Sequence, residues 1–292
     1  MKFGVILPHF GPDSTRAHML ATAQAAERLG YASIWTTDHI LLPHADAARF
    51  GRILESITSL AYLAGQTETI KLGISSLVLP QRDPVLVAKQ IAALDTLSGG
   101  RTILCVGVGW SQGEYQNLNQ PFHNRGRRMD EAMDVLRILW RAGEDEKISY
   151  NGKYYQFKDA LFSPPPVQPG GPALWVAGSS KAALRRAAQR GDAWHPSTLS
   201  LDRFIKLARE FQAIPTDRSP IISARLRLSF NGDDPQAQLR GSPKAIIDGL
   251  RQYQLAGLSY PVITFPGDSQ QQREEAMQRF REQVVESFVD PV

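Results

Sequence analysis

Cysteine is nearly absent from this 292-residue chain, and its single thiol excludes a disulfide framework within the chain. That thiol, Cys105, lies in the apolar run 102–106, where a lone cysteine usually serves as a small buried hydrophobic side chain. The sequence also lacks any hydrophobic run of the roughly 20 residues that cross a membrane, and its apolar N-terminal run 3–7 is too short for a signal-peptide core. These absences predict a cytoplasmic protein that neither spans nor binds a membrane.

Charge is also sparse. Charged residues make up 21% and hydrophobic residues 42% of the chain, and the formal net charge is +4. The densest basic segment, 125–128, is explained by the solvated start of a helix, so binding to nucleic acid is not predicted. The histidines form neither a close His-x-His pair nor an HExxH motif, and no GxSxG motif is present. A metal site and a serine hydrolase are therefore disfavoured.

Apolar runs of strand length alternate with segments of helical periodicity along the whole chain. The predicted strands cover 3–7, 33–36, 70–79, 102–108, 174–177, 193–194, 222–230 and 261–265. The predicted helices cover 17–29, 53–64, 84–97, 127–140, 182–189, 202–211, 244–256 and 271–288. About eight such units predict an α/β protein, a closed (β/α)8 TIM barrel in which residues 1–292 form a single domain. An open doubly wound sheet is the alternative fold.

The segment 147–167 interrupts this alternation between the fourth helix and the fifth strand. Asn151 and Gly152 lie between β-prone runs, which predicts a hairpin. The prolines at 164–166 predict an extended connector after it. We interpret this segment as a short hairpin excursion from the barrel rather than a second domain.

Asp38 and His39 follow the strand 33–36 and would stand at the carboxyl end of a barrel strand. Catalytic groups gather at that end of (β/α)8 barrels, and a histidine beside an acid can serve as an acid or base near neutral pH. The alternative is a histidine that only hydrogen-bonds neighbouring loops, with Asp38 capping the next turn. The position on the rim favours the catalytic interpretation.

Two stretches suit contact with a flat ligand. Gly107 and Gly109 end a buried strand, where a ligand can approach the backbone closely, and Trp110 after them could form a wall for its rings. A tight strand-to-loop turn explains the glycines equally well, and no third glycine completes a dinucleotide fingerprint. Ser75 and Ser76 lie inside an apolar strand, which is unusual unless they meet a polar ligand or are satisfied by the local backbone.

Gly178, Ser179 and Ser180 lie between a late strand and a helix. Free N–H groups, hydroxyls and the positive end of the helix dipole at such a position suit a phosphate, and barrel phosphate sites often follow a late strand. An ordinary serine N-cap is the alternative.

Taken together, these stretches resemble the bacterial luciferase-like superfamily, and within it the branch that depends on a deazaflavin cofactor. The resemblance extends in family order over the segments 4–8, 35–39, 71–73, 82–84, 89–90, 94–101, 107–110 with Glu114, 178–180, 191–194 and 241–243.

The resemblance implies a luciferase-like barrel with coenzyme F-420, or alternatively FMN, at its carboxyl mouth. His39, with Asp38 beside it, would be the catalytic pair and would shuttle a proton as hydride moves at the cofactor ring. A non-prolyl cis peptide of the family would map to Ser75-Ser76 or Ser76-Leu77. The residues that the resemblance assigns to cofactor binding are Ser75, Ser76, Gly107, Gly109, Trp110, Gly178, Ser179 and Ser180.

The chain departs from this pattern at one position. Sugar-phosphate dehydrogenases of the branch that it resembles carry a glutamate directly after the Gly-x-Gly as catalytic acid. Here that position is Trp110, and Glu114 lies four residues further along. This argues against a sugar-phosphate substrate and leaves the role of Glu114 open.

The implied function is an oxidoreductase. With a deazaflavin, hydride would pass between the cofactor and a carbonyl, imine or activated alkene; with FMN, a monooxygenase would oxygenate an aldehyde, ketone or sulfonate. A flavin-binding protein without turnover is the alternative from another class. Family members often form dimers through helices near the second and third strands, and the apolar segment 53–63 predicts a homodimer.

Overall fold

The computed structural model describes residues 1–288, except for the side chain of Arg49. Over this part of the chain, strands rich in β-branched and aromatic residues alternate with helices. The strands are β1 Gly4–Ile6, β2 Ser33–Thr36, β3 Lys71–Val78, β4 Thr102–Gly107, β5 Ile148–Asn151, β6 Gln156–Ala160, β7 Ala173–Ala177, β8 Ala193–His195, β9 Ile221–Ser229, β10 Leu239–Arg240 and β11 Leu258–Thr264. The helices are α1 Arg16–Arg28, α2 Ala47–Phe50, α3 Ser56–Ala64, α4 Pro84–Leu97, α5 Gln112–Asn117, α6 Arg125–Arg141, α7 Lys181–Arg190, α8 Leu201–Gln212, α9 Pro243–Leu255 and α10 Gln270–Gln283.

Eight strands close into a parallel ring in the order β1, β2, β3, β4, β7, β8, β9 and β11. The predicted (β/α)8 barrel is confirmed, and the open-sheet alternative is wrong because β8 pairs with β9 and β11 pairs back to β1. Since these strands run parallel, their carboxyl ends meet at one rim, which we call the mouth. β10 pairs with β9 outside the ring.

Large aromatic side chains fill the inside of the barrel. Trp35 from β2 packs against Trp175 from β7 with ring centroids 5.0 Å apart, and it stacks on His195 at 5.5 Å. Room for this indole comes from Gly73 on β3, where a Cβ atom would lie 2.3 Å from Trp35. Packing inside the barrel therefore requires glycine at this position.

His195 is a buried member of this core. Its Nε2 lies 2.8 Å from Ser75 Oγ and its Nδ1 lies 2.8 Å from Ser223 Oγ. Because the Ser223 hydroxyl donates to the Tyr260 carbonyl oxygen, it must accept from Nδ1–H, which leaves Nε2 to accept from Ser75. Burial, with the nearby charge of Arg225, lowers the pKa of His195 to about 3. At neutral pH this imidazole is a neutral structural group.

The predicted excursion is an antiparallel hairpin, β5 and β6, between α6 and β7. Its loop is held on α6, because the Glu131 carboxylate accepts the N–H groups of residues 153–155. Its exit is held on α4, where Lys89 donates to the Ser163 carbonyl oxygen at 2.6 Å. The hairpin therefore packs on the outer helices of the barrel.

The predicted strands and barrel helices are present with shifts at their ends. The last predicted helix, 271–288, ends at Gln283, and a 3-10 turn follows at Val285–Phe288. The short helix α5 is not among the predicted elements. The single domain predicted for 1–292 stays a prediction, and residues 289–292 lie outside the described part. Within residues 1–288, no helix is both long and apolar enough to cross a membrane.

Candidate active site

His39 follows β2 at the mouth, where 7% of the residue is exposed. Its Nδ1 lies 3.0 Å from Oε2 of Glu114, which α5 contributes. The imidazole lies between two aromatic rings, with Phe50 at 4.9 Å and Trp110 edge-on at 5.7 Å. The fold thus brings the predicted residues His39 and Trp110 together and adds Glu114 as the acid in contact with the imidazole.

Glu114 is 1% exposed and is surrounded by hydrogen-bond donors. Besides His39, its carboxylate accepts the N–H groups of Ile40 at 2.7 Å and Leu41 at 3.3 Å, and the side-chain amide of Gln81 at 3.1 Å. Burial opposes ionisation, but the bonds from His39, Ile40 and Gln81 outweigh it and hold the pKa of Glu114 below its usual range. The group is therefore a carboxylate at neutral pH.

Glu114 reaches this position through the start of α5. The hydroxyl of Ser111 caps the helix and accepts the N–H of Glu114 at 3.1 Å. Serine followed three residues later by glutamate is the spacing of a capping box. That spacing is the sequence signal that could have located both α5 and this carboxylate.

Asp38, the other member of the predicted catalytic pair, has a different environment. Its side chain is 0% exposed, and Arg82 binds it through both guanidinium NH2 groups at 2.8 Å. The Val78 N–H and the Ser56 hydroxyl each donate to it at 2.8 Å. With these donors, Asp38 ties β2, β3 and α3 together, and its contacts favour a positioning role over the predicted catalytic one.

The two serines of β3 have different surroundings. The peptide bond between Ser75 and Ser76 is cis, at a position where the family resemblance places it. Ser75 donates into the barrel to His195, so its hydroxyl is used by the core rather than turned to a ligand. Ser76 lies next to Gly107, where a Cβ atom would be 2.7 Å from the Ser76 hydroxyl oxygen.

The end of β4 forms a close turn at the mouth. Gly109 has a φ of +68°, and a Cβ atom there would lie 2.7 Å from Val78, so both conformation and space require glycine. Trp110 follows and is 56% exposed. A large aromatic side chain left open beside His39 provides a flat apolar contact surface.

Gly178, Ser179 and Ser180 lie between β7 and α7, as the predicted strands and helices place them. Gly178 has a φ of +119°, and Ser180 caps α7 through the N–H of Ala183 at 3.2 Å. Arg203 on α8 donates to the Ser179 hydroxyl at 3.3 Å. This guanidinium adds a positive charge to residues 178–180, which we call the candidate phosphate loop. Nothing in the sequence pattern indicates that Arg203 lies there.

Two further charged or titratable groups lie near the mouth without a signal in the sequence. Arg225 on β9 is 6% exposed and donates to the hydroxyls of Thr37 at 3.2 Å and Thr264 at 3.3 Å. His9 accepts the Thr37 N–H at Nδ1. Burial lowers the pKa of His9 to about 4, against the opposing charges of Asp38 and Glu55, so this imidazole is neutral at pH 7.

These surfaces fit a flat ring system that carries a phosphate. Small residues from three adjacent strands, Ser76, Gly107 and Ala177, meet at the mouth. The candidate phosphate loop adjoins them, because Gly178 directly follows Ala177. Helix N–H groups, two serine hydroxyls and a guanidinium form a donor set that suits a phosphate.

Comparison with known proteins gives one family and two close folds. A family model described as luciferase-like monooxygenase matches residues 1–283. An uncharacterized protein of Mycobacterium tuberculosis is 29% identical over 228 residues, which span 73% of this chain and 79% of that protein. A monooxygenase of Streptomyces bottropensis has a TM-score of 0.84 at 18% identity, over 99% of this chain and 100% of that one. The coenzyme F-420-dependent tetrahydromethanopterin reductase of Methanopyrus kandleri has a TM-score of 0.81 at 18% identity, over 99% of each chain.

Proposed function

This chain belongs to the luciferase-like monooxygenase family, and from that premise we propose that it is an oxidoreductase that uses coenzyme F-420 to move hydride to or from a small organic substrate. The observation that carries the proposal is the imidazole of His39, held by a buried carboxylate at the mouth of the barrel, where Ser76, Gly107 and Ala177 also meet. A buried acid–imidazole pair on the carboxyl rim of a barrel is suited to proton transfer.

The chain's own groups would act as follows. Ser76, Gly107 and Trp110 would contact the ring, and Ser179 with Ser180 and the start of α7 would bind the phosphate. The bound cofactor would supply the hydride chemistry. His39 would take up, or return, the proton that an alcohol or carbonyl substrate exchanges at its oxygen.

A titration of the purified protein with coenzyme F-420 and with FMN tests this proposal. Fluorescence anisotropy of each cofactor gives its affinity, and acrylamide quenching of tryptophan emission reports where it binds. Trp110 is 56% exposed, whereas the remaining tryptophans are 3% exposed or less, namely Trp35, Trp140, Trp175 and Trp194. Quenching by acrylamide therefore reports mainly on Trp110, and the variant Trp110→Phe supplies the background.

We expect a Kd for coenzyme F-420 at least about tenfold below that for FMN, a difference of about 1.4 kcal/mol. Saturation should also lower the quenching of the wild type to the level of Trp110→Phe. Binding of neither cofactor would overturn the proposed function. Tight binding without protection of Trp110 would remove this residue from the cofactor site.

An FMN-dependent monooxygenase is the second candidate. The candidate phosphate loop suits FMN as well as coenzyme F-420. Gly178 and Ser180 are exposed, so the loop would bind a terminal phosphate as readily as a phosphodiester. The likeness to the Streptomyces monooxygenase is a likeness of fold. Tighter binding of FMN than of coenzyme F-420 in the titration would select this candidate.

We also propose that the chain forms a homodimer through the outer faces of α3 and α4. The exposed side chains of α4 are uncharged and include Leu86, 58% exposed, and Leu97, 76% exposed. Light scattering should give twice the chain mass of 32.4 kDa. Leu86→Asp with Leu97→Asp should give a monomer, whereas Leu255→Asp, a change at an 89% exposed leucine of α9, should not. A monomeric wild type would refute the dimer.

A further inference from the structure

We propose that Glu114 is a positioning residue that keeps the His39 proton on Nδ1 and leaves Nε2 as the nitrogen that exchanges a proton with substrate. The proposal rests on the proposed function for its consequence in turnover. Its structural content, the tautomer of one histidine, concerns the protein without cofactor or substrate and can be measured there.

The first step of the argument is the state of Glu114. Besides the imidazole, three donors surround this buried carboxylate, from Ile40, Leu41 and Gln81, and they stabilise its ionised form. An ionised carboxylate only accepts hydrogen bonds. The 3.0 Å contact with His39 therefore requires a proton on Nδ1. In the neutral imidazole this leaves the lone pair on Nε2.

The second step is the orientation of the carboxylate. Oε1 is held by the N–H groups of Ile40 and Leu41, and Oε2 is shared by His39 and Gln81. Gln81 turns its amide nitrogen to Glu114 while its own Oε1 stays buried without a hydrogen bond in the described residues. An unpaired buried acceptor costs free energy. Gln81 therefore stabilises the Glu114 carboxylate, while its own carbonyl oxygen is left without a hydrogen bond.

The third step concerns the other carboxylates on the segments around the imidazole, each of which is bound by a group other than His39. Asp38 is paired with Arg82, which also lies 3.5 Å from Glu55. Asp46, in the 3-10 turn before α2, accepts the Ser111 hydroxyl at 2.7 Å. Among the described residues, Glu114 is the carboxylate in contact with His39. Nε2 has no hydrogen bond to any of the described residues, so it is the nitrogen left for a substrate.

The direct test is nitrogen NMR of the His39 ring in the cofactor-free protein, with the signal assigned from His39→Asn. We expect the Nδ1–H tautomer in the wild type. In Glu114→Gln the one amide oxygen is held by the N–H groups of Ile40 and Leu41, so the amide NH2 faces Nδ1 and the ring should shift towards the Nε2–H form. In Glu114→Ala the acceptor is lost, and the ring should shift towards the Nε2–H form. An Nε2–H tautomer in the wild type, or no change in Glu114→Ala, would overturn the proposal.

The kinetic test distinguishes two roles of Glu114, positioning the His39 imidazole and merely holding the backbone of the loop at residues 40–41. Glu114→Gln should lower kcat about 10²- to 10⁴-fold with little change in KM, because the wrong tautomer has no lone pair on Nε2 to accept the substrate proton. The limb of the pH–rate profile that requires unprotonated Nε2 should move to lower pH, because the anion that stabilises an imidazolium has been removed. An unchanged profile together with a lower kcat would mean a merely structural role.

Glu131→Gln is the matched control, since this carboxylate also holds a loop by three backbone N–H groups but has no histidine partner. It should leave the pH–rate profile unchanged. If no cofactor binds but the tautomer responds to Glu114→Ala as expected, the proposed function is wrong and the positioning of His39 stands. If cofactor binds and turnover occurs but the tautomer does not respond, only the positioning is wrong.

Discussion

Replacement of His39 by alanine is expected to lower kcat/KM by about 10²- to 10⁴-fold, the range that a positioned general acid or base contributes. The physical reason is that Nδ1 of His39 is held by Glu114 while its Nε2 has no hydrogen bond to any described residue, which leaves that nitrogen for proton exchange with a substrate. The measurement is steady-state turnover with whichever alcohol, carbonyl or activated alkene reacts with the cofactor-bound protein. Cofactor affinity and the melting temperature should stay close to those of the wild type.

Two variants keep this prediction falsifiable. His39→Asn retains a side-chain N–H that can donate to Glu114 but has no nitrogen that titrates near neutral pH. It should lose as much activity as His39→Ala. His123→Ala removes an exposed imidazole elsewhere and should change nothing. Wild-type kcat/KM in His39→Ala would remove His39 from the catalytic machinery, and near-wild-type activity in His39→Asn would reduce it to a support for Glu114.

The second large effect is expected on stability. Asp38→Ala should lower the free energy of unfolding by about 3 kcal/mol, because it leaves a largely buried guanidinium without its carboxylate. Asp38 is 0% and Arg82 12% exposed in their side chains, and the Val78 N–H and Ser56 hydroxyl lose their acceptor as well. Urea denaturation followed by circular dichroism gives this free energy.

The double variant Asp38→Ala with Arg82→Ala should be less destabilised than the sum of the single variants, because it leaves no unpaired charge. Asp248→Ala breaks the exposed pair with Lys244 and should change stability by no more than about 0.5 kcal/mol. If Asp38→Ala unfolds like the wild type but loses turnover, the catalytic role expected from its place beside His39 would be right and the positioning role wrong.

The architecture was largely accessible from the sequence, for a local reason. Strand and helix periodicities are properties of short segments, so runs such as 33–36 and 84–97 could be recognised without knowing what they pack against. The count of these units then implied a closed ring. Gly73 shows the limit of that reasoning, because its role depends on an indole from the neighbouring strand.

The site was accessible only in part. His39 and Trp110 lie at the ends of predicted strands, and such ends meet at one rim of any parallel barrel. Asp38 was predicted as the acid that acts with His39 because it directly precedes the histidine in the chain. In the folded protein Asp38 forms an ion pair with Arg82. The carboxylate that contacts the His39 imidazole is Glu114, 75 positions away in the chain.

By itself the sequence determined the barrel and the family, and it predicted which strand ends form the candidate site, since each depends on patterns within a few neighbouring residues. Only the tertiary structure decided which groups meet there. Glu114 reaches His39, Arg225 reaches Thr37 across 188 positions, and Arg203 reaches Ser179 from the next helix. These pairings arise because ring closure brings separate strand ends together, and side-chain contacts at that distance leave no periodic signal in the chain.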